Sequence, residues 1–184
     1  MRSSIYSSSP LNWQSIWWRE GATENNYGHF GMQVKLSLKA LVLCSLAVAA
    51  VAISGAWFKP GIWYEALNKP FWTPPNLVFP IAWTILYLMI ALAGAFVFSG
   101  PFKALKQLWM LQLLLNGLWS WLFFGRHWVL PGMIDIVLLL ASIGWLTWLA
   151  FPRIRIAAWL LLPYLLWVGY ASTLNLGIYV LNRP

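Results

Sequence analysis

Five apolar segments, each close to the length that crosses a lipid bilayer, constrain this chain more than any other feature. They lie at roughly residues 36–57, 77–98, 107–124, 129–151 and 157–181, and about 20 residues of helix span a hydrocarbon core. Apolar runs such as 38–53 and 136–143 do not alternate with polar residues, which excludes the strands of a membrane barrel. The segments predict an all-α integral membrane protein, a bundle of five transmembrane helices.

The composition leads to the same class. Apolar residues make up 61% of the 184 residues and charged residues 9%, so the polar surface is too small to coat a soluble domain. The formal charge of +8 would suit a nucleic-acid-binding protein, but the basic residues stand singly or in pairs at the ends of apolar segments. The predicted partner is therefore the lipid bilayer, and no nucleic acid. The single cysteine, Cys44, excludes an intramolecular disulfide.

Prolines mark the limits of these segments. Thr73 followed by Pro74 predicts the start of the second helix, while Pro101 and Pro152 predict the ends of the second and fourth helices. The connections after the first loop are short, which predicts antiparallel neighbours. Pro163 falls inside the fifth segment and predicts a kink there.

Lysines and arginines, counted by side, predict the orientation. The N-terminal side carries Arg2, Arg19, Lys35, Lys39, Lys103, Lys106, Arg153 and Arg155, and the opposite side carries Lys59, Lys69, Arg126 and Arg183. Cytoplasmic loops are the ones enriched in basic residues. The excess of eight over four therefore predicts a cytoplasmic N-terminus.

The N-terminal residues differ in composition from the rest. Residues 1–33 are rich in Ser, Asn, Trp and Gly, and we predict a poorly ordered extension before a membrane domain at 34–184. The acidic residues of the extension argue against a transit peptide, and Met32 is an alternative start. Residues 35–56 imitate a signal peptide, but the run continues to Phe58 and so reaches a spanning length. We expect this segment to be retained.

The first loop, at residues 63–75, is aromatic and rich in proline. Trp63, Tyr64 and Trp72 offer flat apolar faces with one polar tip each, and prolines such as Pro75 restrict the backbone. Little entropy would be lost when such a loop binds a flat hydrophobic ligand. The loop is predicted to be the lid of a binding pocket, and all four named residues are predicted to bind the ligand.

Three helices carry stripes that mix aromatic and hydrogen-bonding side chains. Helical spacing places the members of each stripe on one face of their helix. The stripes are Trp83 with Tyr87 on the second helix, Asn116 with Trp119 and Phe123 on the third, and Tyr164 with Trp167, Ala171 and Asn175 on the fifth. These groups suit the carbonyls or ring nitrogens of a ligand, and we predict that they line the pocket. For Asn116 and Asn175, hydrogen bonding between helices is the alternative. Lys69 and Arg126, on the same membrane face as the loop, are predicted to contact ligand carboxylates.

Asp135 is the only ionisable side chain well inside a span, about two turns into the fourth helix. An intramembrane carboxylate is costly, so we predict that Asp135 has a role at the pocket. The alternative is a protonated or hydrogen-bonded residue that ties helices together.

The remaining tryptophans and the histidines point to simpler roles. Four tryptophans near the ends of spans are predicted interfacial anchors: Trp109, Trp128, Trp148 and Trp159. His29 and His127 are too far apart in sequence to suggest a ligand pair. We therefore predict no metal site and no required cofactor.

Taken together, these motifs resemble the tryptophan-rich sensory protein/translocator protein (TspO/MBR) family. The motifs that carry the resemblance are Leu-Asn-Lys-Pro-Phe-Trp-Thr-Pro-Pro at 67–75, residues 83–87, 116–119 and 123–125, Asp135, residues 163–167 and residues 174–175. The resemblance covers about residues 36–182 and implies a five-helix membrane fold, often a homodimer. It also implies a cavity under the first loop that binds porphyrins, haem and, in some members, sterols and benzodiazepine-type drugs. We expect a bacterial cell-envelope membrane, or the mitochondrial outer membrane in a eukaryote.

Three functions stay open at this point. The favoured one is a membrane receptor or carrier that binds porphyrins, haem or related flat lipophiles. The resemblance implies an alternative, a light- and oxygen-dependent enzyme that degrades porphyrin, with Trp83 and Trp167 as candidate catalytic residues. The third is a small membrane interaction subunit whose aromatic side chains only pack. The sequence shows neither a phosphate-binding loop nor a repeat with paired broken helices, so energised transport is not predicted.

Overall fold

The structure, a computed structural model, describes residues 34–58 and 60–183. Within these ranges, five helices are long and apolar enough to cross a membrane, which confirms the predicted all-α, multi-pass membrane fold. The predicted N-terminal extension and Lys59 lie outside the described residues.

Six α-helices follow one another within the described residues. α1 is Leu38–Trp57, α2 is Ile62–Ala66, α3 is Val78–Ser99, α4 is Lys103–Ser120, α5 is Val129–Ala150 and α6 is Arg155–Leu181. A π-helical turn, Trp121–Gly125, continues α4. The short helix α2 belongs to the first loop, and the other five are the spans. The third span begins at Lys103 and not at 107 as predicted.

The start of α3 corrects one prediction from the sequence. Thr73 does not cap this helix, because its hydroxyl donates to the Pro70 carbonyl at 2.8 Å within the loop. The helix begins at Val78, and Pro80 occupies its first turn, where a backbone N–H has no partner inside the helix. The predicted ends before Pro101 and Pro152 are confirmed.

The five spans close into a ring in the order α1, α3, α6, α5, α4. Each neighbouring pair in this order packs together, whereas α3 and α4, although consecutive in sequence, pack less closely. All five helices contribute buried side chains to one apolar core. The first loop and the C-terminal end of α6 lie at one end of the ring. The N-terminus of α1 lies at the other end, where the Ser37 N–H donates to the Ser99 hydroxyl at 2.9 Å.

Trp109 is a core residue, so its prediction as an interfacial anchor is wrong. Its indole N–H donates to the Ile90 carbonyl at 3.1 Å, and the side chain is only 2% exposed. The ring lies against Gly94, where an added Cβ would overlap it. A glycine on the neighbouring helix thus makes room for the indole. The other predicted anchors, Trp128, Trp148 and Trp159, are exposed by 45%, 70% and 63%.

We predict that Gly94→Ala reduces the free energy of unfolding by about 1–3 kcal/mol, because the new methyl group displaces Trp109 from its hydrogen bond. Gly144→Ala is the matched control, since its Cβ would meet Leu165 at an ordinary 3.8 Å. Circular dichroism during titration with a denaturing detergent measures both variants. Equal stability of the two variants would contradict the packing role of Gly94.

Candidate ligand-binding site

A chain of hydrogen bonds crosses the centre of the ring. The Tyr87 hydroxyl donates to Asn116 Oδ1 at 3.2 Å, and Asn116 Nδ2 donates to the Tyr164 hydroxyl at 2.9 Å. The chain joins α3, α4 and α6 at one buried amide. Asn116 is 3% exposed and Tyr164 is fully buried, so these stripes face inward as predicted. For Asn116, the predicted alternative of hydrogen bonding between helices is observed.

A second polar contact joins α4 and α6 nearer the first loop. The Trp119 indole N–H donates to Asn175 Oδ1 at 3.3 Å, and Asn175 Nδ2 donates to the Ala171 carbonyl at 3.0 Å. Trp119 also stacks on Phe123, with ring centroids 5.4 Å apart. Asn175 therefore holds the Trp119 indole in a fixed orientation, with the aromatic stripe of α4 behind it.

Trp83 and Trp167 extend this aromatic surface over α3 and α6. The Trp83 ring lies 5.3 Å from the Tyr87 ring and 6.2 Å from the Tyr164 ring, measured between centroids. The Trp167 ring meets the Phe79 ring edge-on at 6.0 Å. Both indoles are half-buried, so part of each ring stays accessible for contact with another molecule.

Four buried side-chain atoms in the bundle have no hydrogen-bond partner among the described residues: Trp167 Nε1, Asp135 Oδ2, Gln112 Oε1 and Thr147 Oγ1. Two of them belong to predicted site residues, the donor Trp167 Nε1 on α6 and the acceptor Asp135 Oδ2 on the neighbouring helix α5. Ser142, which shares a face with Asp135, donates to the Leu139 carbonyl instead. A buried polar group without a partner costs about 1–3 kcal/mol. A hydrogen-bonding partner from outside the described residues would remove this cost at each atom.

The first loop covers the end of α4 with aromatic rings. Trp63 stacks on His127 at 4.3 Å between centroids and meets Phe123 edge-on at 5.7 Å. Tyr64 is 7% exposed and packs edge-on against Phe123 and Phe124. Burial raises the pKa of Tyr64 above its usual value. The loop thus closes over the π-helical turn, as expected of a lid.

Further along, the loop is fastened to the last turns of α6. The Asn68 N–H donates to Asn182 Oδ1 at 2.9 Å, and Asn182 Nδ2 donates back to the Asn68 carbonyl at 2.8 Å. Pro70 packs directly on Gly177, where an added Cβ would overlap the proline ring. We call the contacts of Asn68, Pro70 and Trp72 with α6 the latch.

Trp72 completes the latch with two hydrogen bonds. Its indole N–H donates to the Thr173 hydroxyl at 3.3 Å, and its carbonyl accepts the Tyr170 hydroxyl at 2.7 Å. Sequence reasoning placed Trp72 in the lid but missed Tyr170, Thr173 and Asn182. Their signal was a set of polar residues along the C-terminal part of α6 and at Asn182, directly after it.

The predicted carboxylate contacts lie at the same end of the molecule. The Lys69 ammonium donates to two backbone carbonyls of the loop, at 3.0 and 3.2 Å, and lies 4.9 Å from the centre of the Tyr64 ring. Arg126 is exposed, with its guanidinium 4.8 Å from the centre of the Trp128 ring. Pro75 is also exposed. Lys69 thus holds the loop together, and a contact of either cation with a ligand stays a prediction.

Comparison with known proteins identifies the family. A sequence model of the TspO/MBR family matches residues 40–181. The chain belongs to the TspO/MBR family. It is 44% identical over 151 residues to the tryptophan-rich protein TspO of Chlorobaculum tepidum. The aligned residues are 77% of this chain and 95% of that protein.

Two further relatives extend the comparison. Protein CrtK of Rhodobacter capsulatus is 35% identical over 152 residues, 80% of this chain and 95% of that protein. The human translocator protein is 34% identical over 119 residues, 61% of this chain and 70% of that protein. The TspO/MBR match contains the lid and the central hydrogen-bond chain, while Asn182 of the latch lies just beyond it.

For this TspO/MBR protein, we predict that Asn182→Ala loosens the lid. Each net hydrogen bond is worth about 0.5–1.5 kcal/mol, so the loss of two bonds should raise amide hydrogen exchange in residues 62–77 roughly tenfold. Asn76→Ala, an exposed change in the same loop, is the control. Hydrogen-exchange mass spectrometry in detergent measures both variants, and unchanged loop exchange in Asn182→Ala would contradict the latch.

Proposed function

We propose that this TspO/MBR protein is a membrane receptor or carrier that binds porphyrins, haem or related flat lipophiles under its first loop. One observation carries the proposal. Indole and phenol rings of Trp83, Tyr87 and Tyr164 pack together inside the bundle, and two further predicted site residues carry a buried donor, Trp167 Nε1, and a buried acceptor, Asp135 Oδ2, neither of which has a partner among the described residues. This combination suits a molecule with large apolar faces and a few polar atoms.

The aromatic rings supply the apolar part of the interaction. Trp83 and Trp119 are half-buried and held by neighbours on other helices, so little side-chain freedom is left to lose when a flat ring stacks on them. The polar atoms supply the orientation. Trp167 can donate to a carboxylate, carbonyl or ring nitrogen, and Asp135 can accept a pyrrole N–H or a hydroxyl.

We also propose that the N-terminus lies in the cytoplasm. Among the described residues, the N-terminal end of the ring carries six basic residues and the lid end three. The six are Lys35, Lys39, Lys103, Lys106, Arg153 and Arg155, and the three are Lys69, Arg126 and Arg183. This distribution supports the orientation. A homodimer and a bacterial envelope membrane stay predictions from the resemblance.

Titration with protoporphyrin in detergent, in darkness, tests the proposal. Tryptophan fluorescence should be quenched saturably at about one ligand per protomer, and Trp83→Ala should weaken binding about ten- to a hundredfold through the loss of stacking area. Trp148→Ala removes an indole that is 70% exposed and serves as the control. Quenching that does not saturate would favour the interaction subunit.

Trp167→Phe separates the hydrogen bond from the ring. The variant keeps an aromatic face but loses a buried N–H that has no partner among the described residues. We predict that the stability of the ligand-free protein does not fall, while porphyrin affinity drops about five- to tenfold. Comparison of unfolding curves and titrations measures the two effects. Lower stability with unchanged affinity would show that this N–H serves the fold and not the ligand.

Light-dependent porphyrin breakdown is the second candidate function. The observation in its favour is that the oxidisable rings of Trp83, Tyr87 and Tyr164 lie together at the proposed site. An enzyme should fade bound protoporphyrin under light and oxygen faster than detergent micelles do, and yield one product. Replacement of Trp83 and Trp167 by Phe should then abolish the acceleration. Fading at the rate seen in empty micelles would exclude the enzyme and leave the receptor or carrier as the remaining function.

A further inference from the structure

A groove of about 380 Å³ lies on the outside of the ring, at the end opposite the lid. α1, α3 and α4 form it, with Ser37, Lys39, Cys44, Ala47, Phe98 and Met110 among its lining residues. Its floor is buried, since Cys44 and Trp109 are 3% and 2% exposed, while Leu43 and Met110 on its rim are 56% and 59% exposed. The groove therefore opens sideways, to the lipid.

The groove has the depth of one leaflet. Its α1 wall runs from Ser37 to Ala47, which is about 15 Å of helix, half of a hydrocarbon core about 30 Å thick. Small side chains at Ala40, Cys44 and Ala47 recur on this wall at helical spacing and leave a narrow trough. Towards the lid, α1 and α4 come closer, and a Cβ added at Gly117 of α4 would lie 3.6 Å from the Val51 side chain of α1.

The polar end of the groove is positively charged. Lys39 lines it, and the Lys106 ammonium lies 6.0 Å from the centre of the Phe98 ring, another lining residue. The acidic residues within 34–183 are Glu65 and Asp135, which lie in the loop helix α2 and in α5. Neither of them belongs to the three helices that form the groove, so the two lysines favour an anion at its mouth.

We propose that this groove binds one anionic phospholipid. One acyl chain lies in the trough between α1 and α4, over Cys44 and Ala47, and the phosphate meets Lys39 and Lys106. The lipid fills the space that opens between the two helices away from the lid. It is distinct from the ligand of the central site, because the groove faces the bilayer and not the centre of the ring.

A second copy of the chain fits this face less well. A two-fold symmetric contact would bring Lys39 and Lys106 of both copies together, and like charges in an interface cost affinity.

Native mass spectrometry of the protein in detergent tests the proposal. Added phosphatidylglycerol should remain bound at one molecule per protomer, and phosphatidylcholine with the same acyl chains should bind more weakly. Lys39→Gln and Lys106→Gln should each weaken phosphatidylglycerol binding about fivefold, the effect of one basic residue at an anionic lipid surface. Arg155→Gln, an exposed change at the same end of the ring but at the start of α6, should leave it unchanged.

Two further measurements locate the lipid. Ala47→Phe puts a ring in the trough without a change of charge and should abolish retention of phosphatidylglycerol. Glycerophosphate, which has the phosphate but no acyl chain, should not compete. Equal binding of the two phospholipids, or an equal effect of Lys39→Gln and Arg155→Gln, would overturn the proposal. So would lipid-free dimers that Ala47→Phe converts to monomers, since a second copy would then occupy the groove.

Discussion

Hydrogen bonding across the centre of the helix ring is the interaction on which the rest of the structure depends. The hydrocarbon core offers no water to buried amides, so Asn116 and Asn175 must find partners on other helices. Asn116 bonds to Tyr87 and Tyr164, and Asn175 accepts from the Trp119 indole. Such bonds contribute only about 0.6–2 kcal/mol each in membranes, but an unpaired amide costs more. They therefore decide which faces of the helices turn inward, and with them which aromatic rings line the centre.

Close approach at glycine is the second condition for this arrangement. Lipid tails are as apolar as leucine, so helices in a bilayer gain stability mainly from tight packing. Gly94 admits the Trp109 indole, Gly177 admits Pro70 of the lid, and a Gly132 Cβ would stand 3.1 Å from Phe123. Closure of the lid therefore depends partly on Gly177 of α6, a residue without a side chain that could contact a ligand. At Gly177, the close approach of Pro70 to the helix is also the contact that closes the lid.

The sequence predicted the spans and the inward stripes because both follow from simple periodicity. Long apolar runs locate the helices, and the spacing of Tyr164, Trp167, Ala171 and Asn175 defines one face of α6. Residues whose role depends on a partner far away in sequence were harder to predict. Trp109 lies near a span end like Trp148, and only Gly94 on another helix makes it a core residue. Likewise, Thr73 has the sequence of a helix cap, but its hydroxyl bonds within the loop. The contacts of the predicted site residues with a ligand stay predictions.

The latch has different consequences for affinity and for exchange of a ligand. Its four side-chain hydrogen bonds, at about 0.5–1.5 kcal/mol each, oppose the conformational entropy that the loop gains on opening. If the net preference for the closed lid is about 3 kcal/mol, the lid is open in roughly 1% of molecules. A ligand that leaves the latch intact once bound regains the full closing energy, so its affinity does not depend on the latch. Its entry and release, however, both require the open lid and slow in proportion to that fraction. A strongly latched lid therefore suits a protein that captures and retains a flat lipophile, and fast transport requires a partner or signal that weakens the contacts with α6.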